Sequence, residues 1–368
     1  MNNSGKYVLG LVVLCLVVFA CWYFSSVIAY VLIAAVVSFI GRPLVNWLGR
    51  IEIRGIKLPS AVKAALTLGL LWAVFIFFFI TVIPLVINEF RHLSDTSVEQ
   101  VVLKLEAPLE DMGNTLSQYG AIDRHEDVKR YVSDNLVEFV SGTRIKSFFG
   151  TVAGTVSGLV VAFFSITFIA FFFLKDRYLF SRIILALLPA RYEESGQNAL
   201  DSIQKLLVRY FGGMFVDVIS IMTLNTIGLS LVGLNFSHAI VVGVVSGVLN
   251  VIPYIGPLIG ILFGMVVGIV SNMELPFYSE VFPLLIYMVV AMFVTQVVDS
   301  AFLQPFIYGN SVHAHPLEIF LVILMAGSIA GIPGMILAIP SYTVLRVILK
   351  EFFNKYRLVK KLTQSLEH

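Results

Sequence analysis

Residues Asp299 to Pro340 read DSAFLQPFIYGNSVHAHPLEIFLVILMAGSIAGIPGMILAIP. The stretch is almost entirely apolar, yet Pro305, Gly309, Pro316, Gly331, Pro333, Gly334 and Pro340 keep interrupting its helix pattern. Backbone that leaves the helix at membrane depth must be surrounded by protein or water that satisfies its N–H and C=O groups, so such breaks line a cavity. The stretch therefore predicts a route through a membrane, which a plain anchor would not require.

Composition sets the same class. Of 368 residues 58% are hydrophobic and only 13% charged, with a mean hydropathy of +0.92, far from the balance of a soluble domain. Several windows exceed the roughly 18 uncharged apolar residues of a spanning helix. The fold class expected is an all-α polytopic membrane protein with eight or so hydrophobic segments, in contact with the lipid bilayer. Cys15 and Cys21 would lie about 9 Å apart along one helix, too far for a disulfide. No phosphate-binding loop, HExxH helix or nucleophile motif occurs in the chain, which leaves no sign of an ATPase or an enzyme. No cofactor, metal or nucleic-acid partner is expected. Leu366, Glu367 and His368 look like a tag remnant.

Charge placement orients the chain. The apolar block from Tyr7 to Ile40 is divided at Ser25 and Ser26, beside Trp22, Tyr23 and Phe24, and reads as a helical hairpin. From Gly41 to Lys63, Arg42, Arg50, Arg54, Lys57 and Lys63 face only Glu52, which places this loop and the N-terminus in the cytoplasm. A third span runs from Ala64 to Val86, with Pro84 expected to kink or stop it. Residues 88–147 are polar, with an amphipathic pattern through Val98, Val101, Val102, Leu105, Leu109, Met112 and Leu116. A gate, a cap, an oligomer contact and a packed surface hairpin are all open readings of that region. A fourth span covers Phe149 to Leu174, and a helical pair along the inner interface covers 178–211, divided at Pro189. The fifth span, Met214 to Leu234, carries Asp217 and Asn225. Arg346, Lys350, Lys355, Arg357, Lys360 and Lys361 place the C-terminus in the cytoplasm as well. The expected organisation is thus 1–87, N-terminal transmembrane segments; 88–147, extracytoplasmic helices; 148–365, a transport core with interfacial helices; and 366–368, the tag.

Two runs, His238 to Ser271 and Pro316 to Leu345, are too long for one upright helix. The first would measure about 51 Å against a hydrocarbon core of about 30 Å, so each is either kinked or folded back. SGVLNVIPYIGPLIG (Ser246 to Gly260) and GSIAGIPGMILAIP (Gly327 to Pro340) align with Pro253 over Pro333 and Gly247 over Gly327. Paired interruptions of this kind point to a transporter's binding site. Ionisable groups inside such segments are functional candidates. Asp299 leads them, because Gln296, Ser300 and Gln304, at helical spacing beside it, are expected to put a polar stripe on one face. The candidate pathway is Asn250, Pro253, Tyr254, Gly256, Pro257, Asp299, Gln304, Pro305, Gly331, Pro333, Gly334 and Pro340. Asp217, Asn225, His315 and Glu318 are secondary candidates; His313 and His315 lack the third ligand a metal site needs.

The order PYIGP (Pro253 to Pro257), QPFIYG (Gln304 to Gly309), His315-Pro316 and LAIP (Leu337 to Pro340) resembles the autoinducer-2 exporter family of PerM-like permeases. The resemblance implies a multi-pass protein of the bacterial inner membrane that exports a small polar solute such as an autoinducer-2-like signal. In other branches it implies exchange of sodium or lithium for protons. Pro333 within the Gly-Ile-Pro-Gly turn departs from the common pattern. The expectation is a homo-oligomeric, gradient-driven exporter of a small polar solute. A cation/proton antiporter is the first alternative, and a non-transporting scaffold the second. The two broken turns are expected to approach each other or a shared cavity.

Overall fold

The computed structural model describes residues 19, 22–50, 52–53, 56–95, 156–305 and 315–353. Among them the chain is helical apart from a two-residue antiparallel ladder, β1 (Glu52–Ile53) against β2 (Ile56–Lys57), with Glu52 opposite Lys57. Residues 96–147 of the expected polar region, most of the first arm of the expected N-terminal hairpin, both cysteines and the expected tag lie outside the described residues, while 88–95 continue a helix. The protein is an all-helical, polytopic membrane protein.

The chain forms two compact units, one built from 1–75 and 155–208, the other from 76–154 and 209–368. The first holds α1 (Ser25–Leu48), the start of α2 (Ser60–Asp95), α3 (Val156–Lys175), α4 (Leu179–Ala186) and the start of α5 (Glu193–Leu231). A turn at Phe24 precedes α1, where the sequence placed its division. Beyond Ile40, however, the helix continues to Leu48, so Arg42 belongs to α1 and not to the following loop. Its guanidinium is buried, donates to Gln204 and to the Arg177 carbonyl at 2.7 Å, and lies over the Phe39 ring. A second correction concerns Pro84, which does not end α2: the helix runs on to Asp95. Proline costs a helix one hydrogen bond, and in membranes neighbouring groups satisfy the carbonyl it frees.

A third correction is the joining of two predicted elements. The interfacial pair is broken near Pro189 as expected, at a single 3₁₀ turn, Ala190–Tyr192. Its second member then continues through Gly212 and Gly213 as α5, without a stop, to Leu231. Glu193 and Glu194 favour the start of that helix through its dipole.

The second unit contains both long runs, and both double back. The first becomes α6 (Phe236–Leu249) and α7 (Ile255–Val270). Pairs of residues set equally far from the turn touch: Gly260 meets Ser246, and Gly264 meets Val242. At Gly256 the helices approach so closely that a Cβ would collide with the Leu249 carbonyl. With 14 and 16 residues, the arms are about 21 and 24 Å long and stop short of crossing a core of about 30 Å. The hairpin packs between the end of α5 and α8 (Phe282–Val298). Val242, Phe263, Val267, Leu229, Val281, Leu285, Met288 and Met292 form their common buried core.

The second long run, α9 (Pro316–Phe353), is by length and hydropathy a possible single span. Its backbone contradicts that, because Ala330 and Gly331 leave the helix and Gly331 adopts φ 60°, ψ −144°. The arms on either side lie antiparallel. A Cβ on Gly334 would strike the Ala326 carbonyl, and the Tyr342 hydroxyl donates to Glu318 Oε2 at 3.0 Å. On a straight helix those two residues would be about 36 Å apart. Pro257 and Pro333 fall in the first turn of each hairpin's returning arm, where a missing N–H costs nothing. They start helices here rather than breaking them.

Candidate functional site

Three helices of the second unit bring their polar residues to one place. On α5, Asp217 and Asn225 stand eight residues apart, hence on one face, and both are buried. On α6, Ser246 and Asn250 stand four apart and are buried too. Asp299, at the end of α8, is fully buried, with 0% of its surface exposed.

Asn250 caps the C-terminus of α6 and ties the two carboxylates together. Its Nδ2 donates to Asp217 Oδ2 at 3.1 Å and lies 3.5 Å from Asp299 Oδ2. Gln304 Nε2 donates to the same Asp299 oxygen at 2.9 Å and Gln296 Nε2 at 3.3 Å. Gln304 reaches it because Asp299–Leu303 form a π-helical turn, in which the Gln304 N–H bonds the Asp299 carbonyl. Five residues apart on an α-helix, the two side chains would diverge by about 140°; the wider turn returns them to one face. Such turns recur at functional sites. Ser300, in contrast, is exposed and takes no part in the polar stripe.

All three donors to Asp299 are neutral amides, and among the described residues no Lys, Arg or His pairs with it. Its other oxygen, Oδ1, is buried and receives no donor from the described residues. A carboxylate in this setting is costly unless a cation or a proton joins it. One helical turn from Asn250 along α6, Asn225 Nδ2 donates to Ser246 Oγ at 2.8 Å, and Ser246 donates in turn to the Gly243 carbonyl at 3.0 Å. Asn225 Oδ1 is a second buried acceptor that no described donor reaches.

The other predicted residues lie around this cluster or apart from it. Pro253 and Tyr254 form the turn of the first hairpin, and Gly256 and Pro257 open its returning arm. Pro305 is exposed just after the π turn. Gly331 and Pro333 lie at the exposed tip of the second hairpin, with Gly334 partly covered beside it and Pro340 buried further along its returning arm. The two turns do not meet among the described residues. Instead Phe320, near the root of the second hairpin, packs edge-to-face on Tyr254 at 6.1 Å between ring centroids. His315 Nδ1 accepts the Leu317 N–H, and Glu318 binds Tyr342, so both serve the base of that hairpin. No group of three metal-ligating side chains occurs among the described residues. An open pocket of about 490 Å³ in the first unit, lined by Asp176, Tyr178, Ser181, Arg182, Leu185 and Gln197, contains none of the candidates.

Sequence reasoning underrated Asp217, which early in a long apolar stretch resembles an interfacial charge. It missed Ser246 altogether, since a lone serine four residues before Asn250 carries meaning only once α5 lies against it.

Among the described residues, four helical stretches long and apolar enough to span, two hairpins that fold back and a buried polar cluster beside one turn define a polytopic membrane transporter. The family described as AI-2E family transporter matches residues 11–354, and the chain belongs to it. The protein named "Putative transport protein YueF" of Bacillus subtilis (strain 168) is 28% identical over 345 residues, covering 92% of this chain and 86% of that one. "Putative transport protein YrrI" of the same organism is 26% identical over 213 residues, covering 56% and 57%.

Proposed function

We propose that the protein is a gradient-driven transporter of the bacterial inner membrane in which Asp299 holds a proton and a monovalent cation in alternation. The observation that carries this reading is the fully buried Asp299 carboxylate, with three neutral amides on one oxygen and none on the other. The amides disperse negative charge on Oδ2, and Oδ1 is left to a cationic guest or a proton. Asp217, coupled through Asn250, supplies a second carboxylate across which charge is shared. Both termini lie in the cytoplasm, in accord with the Lys and Arg that flank the spans.

A second reading is export of a small polar solute such as an autoinducer-2-like signal, and it is supported by membership of the AI-2E family. The Asn250, Gln296 and Gln304 amides would then turn from Asp299 to the solute's hydroxyls. Proteoliposomes separate the two. Under the first reading an imposed sodium or lithium gradient drives proton flux, which Asp299→Asn abolishes. Loss of ion-driven flux together with efflux of a furanosyl or polyol solute would favour the second. Absence of both in folded, reconstituted protein would leave the scaffold reading.

A further inference from the structure

The turn of the first hairpin is built under strain. Tyr254 adopts φ 66°, ψ −47°, and it is the single non-glycine residue with positive φ among those described. The Ile255 N–H bonds the Pro253 carbonyl at 2.8 Å across it, which makes a γ-turn of the rare, strained hand. Such conformations persist where the surrounding structure holds them, and they gather at clamps and switches. Tyr254 is four residues from Asn250, so the strained turn adjoins the Asp299 cluster directly.

The ring of Tyr254 is half-exposed and rests on Phe320, itself 40% exposed. Phe320 is the fifth residue of its arm, about 6 Å from the root of the second hairpin. Tyr254, in contrast, is at the tip of the first hairpin, about 21 Å from its root. A tip can meet a root only if the two hairpins enter from opposite sides. The helix between them, Phe277–Leu303, has 27 residues and is long enough to cross. The first hairpin therefore carries the cluster most of the way across, and what remains on the far side is the layer where Tyr254 and Phe320 meet.

We propose that Tyr254 and Phe320 are access-controlling residues for transport: their ring contact is the barrier that closes the Asp299 cluster on the side where the second hairpin is rooted. That side is cytoplasmic in the orientation given by the Lys and Arg residues. When the second hairpin shifts, Phe320 leaves the ring, the strained turn at Tyr254 relaxes, and the cluster opens to that side. The strain thus biases the turn toward release, and the aromatic contact opposes it. The proposal rests on the reading that the cluster is where transport passes.

The test reads access rather than flux. In a background with Cys15 and Cys21 replaced by serine, Asn250→Cys serves as reporter for a membrane-impermeant methanethiosulfonate added to one side of sealed vesicles. Phe320→Ala is expected to raise its labelling rate from the second-hairpin side about tenfold, the equivalent of removing about 1.4 kcal/mol of barrier, and to leave the rate from the other side unchanged. Tyr254→Phe keeps the ring and is expected to leave both rates as they are. Tyr254→Cys with Phe320→Cys, joined by a short bifunctional thiol reagent, should stop ion-driven flux, and cleavage of the link should restore it. Unchanged labelling in Phe320→Ala, or an equal rise from both sides, would overturn the barrier. So would full flux in the cross-linked protein. If the labelling result holds while Asp299→Asn retains ion-driven flux, the barrier stands and the proton–cation reading falls.

Discussion

At the residue scale, Asp299 is the proposed chemical centre, and the Asn250 amide links it to Asp217. Asn250→Leu removes the amide that both carboxylates share. Transport in proteoliposomes should fall at least about tenfold, whereas stability in mixed micelles should fall by only about 1 kcal/mol, the scale of interhelical hydrogen bonds in membranes. A collapse of folding instead would make Asn250 a packing residue. Asn225→Leu takes out a buried acceptor that no described donor satisfies. It should leave stability within about 1 kcal/mol and weaken the half-saturating cation concentration if the guest passes that rung; an unchanged ion dependence would confine the site to Asp299. Asp299 and Asn250 were legible in the sequence, because polar groups inside apolar runs stand out. Asp217 stood out only as a secondary candidate, and the π turn was not legible. The first needed the antiparallel placement of α5 and α6, and the second reflects a local widening that no residue spacing announces.

At the element scale, the hairpins follow from a length argument. A run of 34 apolar residues is longer than a membrane is thick, and glycine and proline mark where it turns. Gly331, at φ 60° and ψ −144°, sits in a region open to glycine alone. Gly331→Ala should cost about 1–3 kcal/mol, read as a lowered midpoint of denaturant unfolding in micelles. Gly256→Ala should cost about the same by forcing α7 off the Leu249 carbonyl. No loss at either position would contradict the folded-back geometry. The continuity of α5 was not legible, because its sequence changes from amphipathic to apolar at Gly212 and Gly213 and that change looks like an element boundary. In three dimensions a side chain at Gly212 would meet no obstacle, and a pair of glycines costs a helix only about 2 kcal/mol, which the flanking turns on either side absorb.

At the scale of the whole molecule, the proposed arrangement has two hairpins rooted on opposite sides, which would hold one site with thin walls. Single cysteines near the two roots test that arrangement. Asn272→Cys, at the root of the first hairpin, should react with an impermeant thiol reagent from one side only, and His315→Cys, at the root of the second, from the other side only. Reaction of both from the same side would remove the tip-to-root geometry. Exposed Leu, Ile, Val and Phe side chains along α2, α3 and α8 suit helices placed in a bilayer.

The central claim is that one buried carboxylate exchanges a proton for a cation. Purified protein in weakly buffered detergent solution reports this directly, through the protons released when sodium or lithium chloride is added and choline chloride serves as the control. The account predicts proton release that saturates with sodium or lithium, is absent with choline and disappears in Asp299→Asn. Saturable release that persists undiminished in folded Asp299→Asn would contradict it.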